Sequence, residues 1–158
     1  MYYKWIDFDN SPYEEEIKKW CQDELSLRYA TDEGDGIKED YDYWRKEDGF
    51  IHNETCFCKV VLEKEQPVAV LIMLGGEGYP LNINPIIVNP ALRGKSHCTR
   101  IIKELVEHTD KIILQDLKWF SAGIAMENVA CVRAFEKAGF ILFSMHPDGD
   151  FADYHYRK

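Results

Sequence analysis

The sequence predicts an α/β domain in which helices cover both faces of a mixed sheet, in the order β-α-α-β-β-β-α-β-α-β-β. Three observations carry this. Two runs rich in β-branched and apolar residues flank Glu63-Lys64-Glu65-Gln66-Pro67, which reads as a hairpin. The apolar strand Ile86-Ile87-Val88 runs into Asn89-Pro90 and then into a helix opened by a glycine and cations. A second amphipathic helix stops at Gly139, a favourable residue just past a helix end, and two strands follow around Pro147-Asp148-Gly149. The 158 residues are enough for one domain with a real core, so residues 1–158 are read as a single unit.

Tyr2 to Phe8 alternates as a first strand, and Asn10-Ser11-Pro12 supplies capping chemistry for a helix. In that helix Tyr13, Ile17, Trp20, Cys21 and Leu25 recur at helical spacing, while Glu14 to Glu16, Lys18 and Lys19 face water. After an acidic loop at Thr31–Gly36, a short helix groups Ile37, Tyr41 and Trp44. Thr55–Leu62 and Val68–Leu74 form the hairpin, and Leu81–Val88 the next strand after a Gly-rich connection. A helix from about Gly94 to His108 carries Ile101, Ile102, Leu105 and Val106 on one side. A strand lies within Lys118–Ala125, a helix spans Val129–Ala138, and strands at Phe140–Ser144 and Ala152–Arg157 close the chain.

Composition narrows the function. No apolar run approaches the roughly 18–20 residues of a membrane span, and the first residues lack the zones of a signal peptide, so a cytoplasmic protein is expected. Residues 1–66 hold 18 acidic and 9 basic residues, whereas residues 67–158 hold ten of each, so the net charge of −9 sits in the first half. With no basic stripe, a nucleic-acid partner is not expected. Five cysteines at scattered spacings do not make a disulfide framework, and Cys56 and Cys58 lack a second ligand pair, so no metal is expected. The sequence leaves the oligomeric state open, with a homodimer as one option.

The chemistry concentrates at Val88-Asn89-Pro90-Ala91-Leu92-Arg93-Gly94-Lys95-Ser96-His97-Cys98-Thr99. A strand, a turn and a helix start point backbone N–H groups and positive charge at one place, which suits a phosphate. Gly94-Lys95-Ser96 invites a P-loop reading, but that pattern needs a glycine where Asn89 stands and an earlier place in the chain.

The segment is instead similar to the coenzyme A motif of the GNAT superfamily of N-acetyltransferases, in which Val-x-Pro precedes Arg/Gln-x-x-Gly-x-Gly/Ala at a helix start. A second motif of that family resembles Asn128, Cys131, Phe135, Gly139 and Phe140 in residue type and spacing. This motif and the Pro-Asp-Gly ending are similar to aminoglycoside 6′-N-acetyltransferases within that family. The resemblance implies a mostly antiparallel sheet of about seven strands and acetyl-CoA as co-substrate. It implies a pyrophosphate on the N–H groups of Gly94, Lys95, Ser96, His97, Cys98 and Thr99, with charge from Arg93 and Lys95. The pantetheine arm would run along Ile86, Ile87 and Val88, where a main-chain N–H (that of Val88) would meet the thioester oxygen, with Asn128, Cys131 and Phe135 on the other side.

Three departures from the family pattern matter. Ser96 and Cys98 replace small or absent side chains. Phe135 stands where many relatives place a tyrosine that protonates the departing thiolate, and it cannot do so. Gly123 stands where some relatives place a glutamate. A primary amine with a pKa near ~10 must lose a proton before it attacks, and the matched motifs offer no base. Candidates for the base are Glu77, Tyr79 and Asn84, or an acid of the Asp32–Asp42 run acting through water; Asp32, Glu33, Tyr79 and Asn84 are read as acceptor contacts, and the acidic, aromatic stretch from Tyr29 to Trp44 suits a cationic amine. The expected activity is acetyl transfer to a primary amine by direct attack in a ternary complex. The rival is a non-catalytic acyl-CoA-binding or regulatory protein on the same scaffold, favoured by the blanks at Gly123 and Phe135.

Overall fold

The β-branched and apolar runs build one seven-stranded sheet in the order β1-β2-β3-β4-β5-β7-β6. The computed structural model describes residues 1–30, 36–46, 55–75 and 78–158. The strands are β1 (Lys4–Asp7), β2 (Thr55–Glu63), β3 (Gln66–Gly75), β4 (Leu81–Val88), β5 (Trp119–Ala125), β6 (Ile141–Met145) and β7 (Phe151–Arg157). Every neighbouring pair is antiparallel except β4 and β5, so the sheet is mixed and mostly antiparallel as expected.

Helices lie on both faces. On one face α1 (Glu14–Trp20), α2 (Glu24–Tyr29) and α3 (Ile37–Lys46) precede β2, and Ile17, Trp20, Cys21 and Ile37 bury against Cys58, Val60, Val70, Ile72 and Ile87. On the other face α4 (His97–Glu107), α5 (Thr109–Ile112) and α6 (Val129–Lys137) cover the larger core. There Ile101, Ile102 and Leu105 meet Leu71, Met73, Phe120 and Ala122, all essentially inaccessible. Each of these side chains except Ala122 contributes roughly 1.5–3 kcal/mol by leaving water.

The first helix ends sooner than its apolar spacing predicts. Asp23 is extended and its carboxylate accepts the N–H of Leu25, so a new helix, α2, starts there and Leu25 is left 48% exposed. The hairpin turn is tighter than the five residues expected. Lys64 and Glu65 both have positive φ, the two-residue geometry that matches strand twist, and Tyr13 Oη donates to the Glu65 carbonyl at 3.0 Å. The helix expected from Gly94 begins at His97, because Gly94 and Ser96 are left-handed (φ +78° and +63°) after a 3₁₀ turn at Pro90–Leu92. The short α5 was not predicted.

A buried carboxylate ties the N-terminus to α4. Glu104, 8% exposed, accepts the Tyr2 N–H at 2.7 Å, the Tyr3 N–H at 3.1 Å and Trp5 Nε1–H at 2.8 Å. Three donors spread its charge, which is what a carboxylate away from water requires.

Candidate active site

β4 and β5 are in register only at Leu81↔Phe120 and Asn82↔Ser121, so beyond Asn82 the two parallel strands splay apart. The register of β4 against β3 also shifts between Leu71 and Met73. Side-chain parity changes there: Leu81 and Ile83 face the larger core, and beyond the shift Ile86 and Val88 do so while Ile87 faces the other. Asn89 donates its N–H to the Val68 carbonyl at 2.8 Å, so residues 87 and 89 bond β3. By the alternation of a β backbone, Ile86 and Val88 turn their N–H and C=O groups to the splayed edge.

A cleft of about 420 Å³ opens at that edge. Its floor is Ile86, Ile87 and Val88; one wall is Arg93, Gly94, Ser96, His97, Cys98 and Thr99; the opposite wall is α6, through Asn128, Cys131, Arg133 and Lys137; and α2 closes the side with Leu25, Ser26 and Tyr29. Ser96 makes no side-chain cap, so the first-turn N–H groups of α4 have no intramolecular side-chain acceptor and are available to an anion. Two left-handed residues before them turn further backbone amides toward one point.

His97 joins this wall from a buried position. Tyr3 Oη lies 2.8 Å from His97 Nδ1, and burial raises the Tyr3 hydroxyl to a pKa of about 12, so it stays a donor. Burial, followed by the Arg100 charge, lowers the His97 pKa, and a neutral ring accepting at Nδ1 carries its proton on Nε2. Cys98 and Cys131 line the cleft as thiols. Burial raises both, Cys131 to about 11, so neither is a ready nucleophile.

Some predicted residues are placed differently from their expected roles. The Arg93 guanidinium is ion-paired with Asp23 and donates to Ser26 Oγ at 3.1 Å, which ties the loop before α4 to α2. Lys95, within the loop between Gly94 and Ser96, does not line the cleft. Asn128 Oδ1 accepts the Cys131 N–H as the N-cap of α6, leaving its amide N–H groups for a ligand. Phe135 is 1% exposed and stacks edge-on against Phe140 at 5.0 Å.

A small space of about 90 Å³ at the splay is lined by residues of β4 (Asn84, Pro85, Ile86), of β5 and β7 (Gly123, Phe151) and of α6 with its cap (Asn128, Cys131, Phe135). Beyond it a wider cavity of about 770 Å³ is lined by Glu39, Asp40, Tyr29, Tyr43, Trp44 and Asn84, with Arg28. Tyr29 and Ala30 border all three spaces, so the three adjoin at the end of α2. Asn84 is therefore brought to the site. Tyr79 is 54% exposed and lines none of the three. Asp32, Glu33 and Glu77 lie outside the described residues.

Sequence reasoning missed α2, Phe151 and the cations Arg133 and Lys137. The last two had a legible signal: they sit four apart in the helix carrying the second motif, with small Ala130 and Ala134 beside them. Among the described residues, no group of three His, Cys, Asp or Glu is arranged to hold a metal, and no helix is long and apolar enough to cross a membrane.

The sequence matches the acetyltransferase (GNAT) family over residues 13–140. Among curated proteins no sequence relative matches it. Solved structures do. Spermidine N-acetyltransferase from Vibrio cholerae, in complex with CoA and spermine, superposes with a TM-score of 0.76 at 14% identity, covering 99% of this chain and 95% of that one. The aminoglycoside acetyltransferase AAC(6′)-Ib in complex with coenzyme A and kanamycin gives a TM-score of 0.71 at 14% identity, over 99% and 94% of the two chains. The Campylobacter jejuni N-acetyltransferase PseH in complex with acetyl coenzyme A gives 0.66 at 14% identity, over 99% of each.

Proposed function

This chain belongs to the acetyltransferase (GNAT) family and is an acetyl-CoA-dependent N-acetyltransferase, and we propose that it acetylates the primary amine of a cationic small molecule or peptide by direct attack in a ternary complex. The observation that carries this is the groove at the splay, where the three spaces adjoin. One end presents free helix N–H groups and the cations of α6, and the other presents the carboxylates Glu39 and Asp40 among Tyr29, Tyr43 and Trp44. An anion and a cation are drawn to opposite ends of these adjoining spaces.

Acetyl-CoA enters with its pyrophosphate over the α4 N-terminus and its amide-bearing arm against the splayed edge of β4. The thioester oxygen then lies against the Val88 N–H, which stabilises the charge that develops as the amine attacks. The amine waits in the acidic cavity, and the small space of about 90 Å³ admits little besides the reacting atoms. Phe135 donates no proton, and a thiol with a pKa near ~8.5 leaves tolerably without one. Two of the similar enzymes hold spermine and kanamycin, both polycationic amines, which supports the acceptor class. The five cysteines form no disulfide, which supports a cytoplasmic location. The acidic first half argues against a nucleic-acid partner.

The test is CoA thiol release from acetyl-CoA over a panel of polyamines, aminoglycosides, basic peptides and neutral amines. Cationic amines are expected to give turnover with intersecting initial-rate lines. Parallel lines with an acetylated protein, or silence with every amine, would overturn the reading.

A further inference from the structure

The strands at the two edges of the sheet differ in chemistry. β1, Lys4-Trp5-Ile6-Asp7, begins and ends on a charge, which keeps an edge from pairing with another chain. β6, Ile141-Leu142-Phe143-Ser144-Met145, carries no charge and no proline, and every one of its residues is exposed. Ile141 is 72% exposed, Leu142 50%, Phe143 65% and Met145 47%. The register with β7 sets these side chains on both faces of the sheet, Ile141 beside His155, Leu142 beside Tyr154 and Met145 beside Ala152. Phe143 is the extra residue where the register shifts between Leu142 and Ser144, and its ring lies flat on His155 at 3.9 Å. His155 Nδ1 in turn accepts Trp119 Nε1–H at 3.1 Å, and Arg157 lies over the Trp119 ring at 4.0 Å. The row runs from β6 across β7 into β5, so Phe143 is braced from behind while most of its surface stays open.

We propose that the protein is a two-fold dimer in which β6 lies antiparallel to β6 of a second copy, with Phe143 next to the axis. Area supports a second copy. Counting a whole large side chain as roughly 150–200 Å², the four apolar residues present roughly 400 Å² on one copy, a patch of the size that marks an interaction site. Two copies bring roughly 800 Å², and the rim of Ser144, His146 and edge backbone raises the total to about the 1,000 Å² of a specific interface. Charge supports it as well. The net charge of −9 belongs to residues 1–66, which build β1, β2 and the helices α1 to α3, whereas residues 67–158 hold ten acidic and ten basic residues. β2 and β6 are five strand spacings of ~4.8 Å apart, beyond the ~8–10 Å over which charges act in physiological salt. Copies joined at β6 therefore meet at their balanced ends and keep their acidic halves apart. A strand without charge offers a partner of opposite sign nothing to pair with. Antiparallel pairing uses the same patch on both copies, and the charged edge at β1 stops further addition. The interface lies two strands from the splay between β4 and β5, so dimerisation is read without reference to catalysis.

The test is sedimentation velocity on the full chain across a concentration series. At about 100 μM wild type is expected at twice the monomer mass of 18.5 kDa, dissociating on dilution as an interface of this size does. Phe143→Glu, which brings two carboxylates together at the axis, and Leu142→Lys are each expected to weaken the dimer about a hundredfold. Both positions are exposed, so the far-UV circular dichroism of each variant is expected to match wild type. Hydrogen exchange supplies a reading on the unaltered chain: the β6 amides are expected to exchange more slowly at about 100 μM than at about 1 μM, as pairing covers the edge. A wild type that stays monomeric at the higher concentration, masses that grow past the dimer, or folded variants as dimeric as wild type would each overturn the assignment. Should a variant fail to fold, equal β6 exchange at the two concentrations would overturn it just as well.

Discussion

At the scale of single residues, Arg93 and Ser96 show how the wall of the cleft before α4 is held. Arg93 lies against Asp23, and that hydrogen bond, ahead of the opposing effect of burial, holds the Asp23 carboxyl below its usual range. A depressed carboxyl contributes stability that is present above its unfolded pKa, near ~3.9, and is lost as pH falls through the lower folded value. Thermal melts from pH 7 to 2 are expected to show wild type above Asp23→Asn at neutral pH by no more than about 1 kcal/mol, as for a partly exposed pair. The two curves are expected to converge below pH ~4; parallel curves would dissociate Asp23 from the acid limb. Ser96 pays for its left-handed backbone, and Ser96→Gly is expected to raise stability by about 0.5–1 kcal/mol after glycine's own entropy loss is offset. With the side chain gone from the phosphate side, CoA is also expected to bind more tightly by calorimetry.

At the scale of elements, β5 and β7 explain why the glutamate of some relatives has no counterpart here. The pairing Gly123↔Asp153 brings the Phe151 ring over position 123, where an added Cβ meets it at 2.7 Å. Gly123→Ala is expected to cost about 1–2 kcal/mol in urea unfolding, since the half-buried ring must swing aside. In a Phe151→Ala background the same substitution is expected to be nearly neutral, and a double-mutant cycle with no coupling would refute the contact. This clash is the kind of fact a sequence does not carry, because it depends on cross-strand register. Elements with local signals were legible: the 3.6-residue period of Ile101, Ile102 and Leu105, the stop at Gly139, and the strand, turn and helix order around both segments that resemble the family. Misreadings came where backbone choices competed with periodicity. Asp23 capped a new helix within an unbroken apolar spacing, Lys64-Glu65 took a turn usually given to Asn-Gly, and Gly94 with Ser96 delayed the start of α4. Arg93 was legible as a cation at the loop, but its partner Asp23 lies 70 residues away in sequence and is found only by the fold.

At the scale of the whole molecule, the groove divides the sheet where β4 leaves β5, and the cleft walls come from separate parts of the chain. α2 and the loop before α4 meet through Arg93 and Asp23, while α6 stands on the far side of the opening. A ligand seated between them bridges these elements in the folded state and finds no such site in the unfolded chain. Mass action then sets the outcome: at a hundredfold excess over Kd, CoA stabilises by about 2.7 kcal/mol, which for a domain of this size is a rise in Tm of about 5–10 °C. Arg133 and Lys137 form the exposed cationic rim of the α6 wall. Replacing both with alanine is expected to weaken CoA about tenfold, which at the same ligand concentration leaves about 1.4 kcal/mol and roughly halves the shift. Because the rim is solvent-exposed, raising the salt is expected to shrink the wild-type shift more than that of the double variant. A double variant whose shift and salt response match wild type would remove α6 from the phosphate site and leave the α4 N-terminus to hold the anion alone.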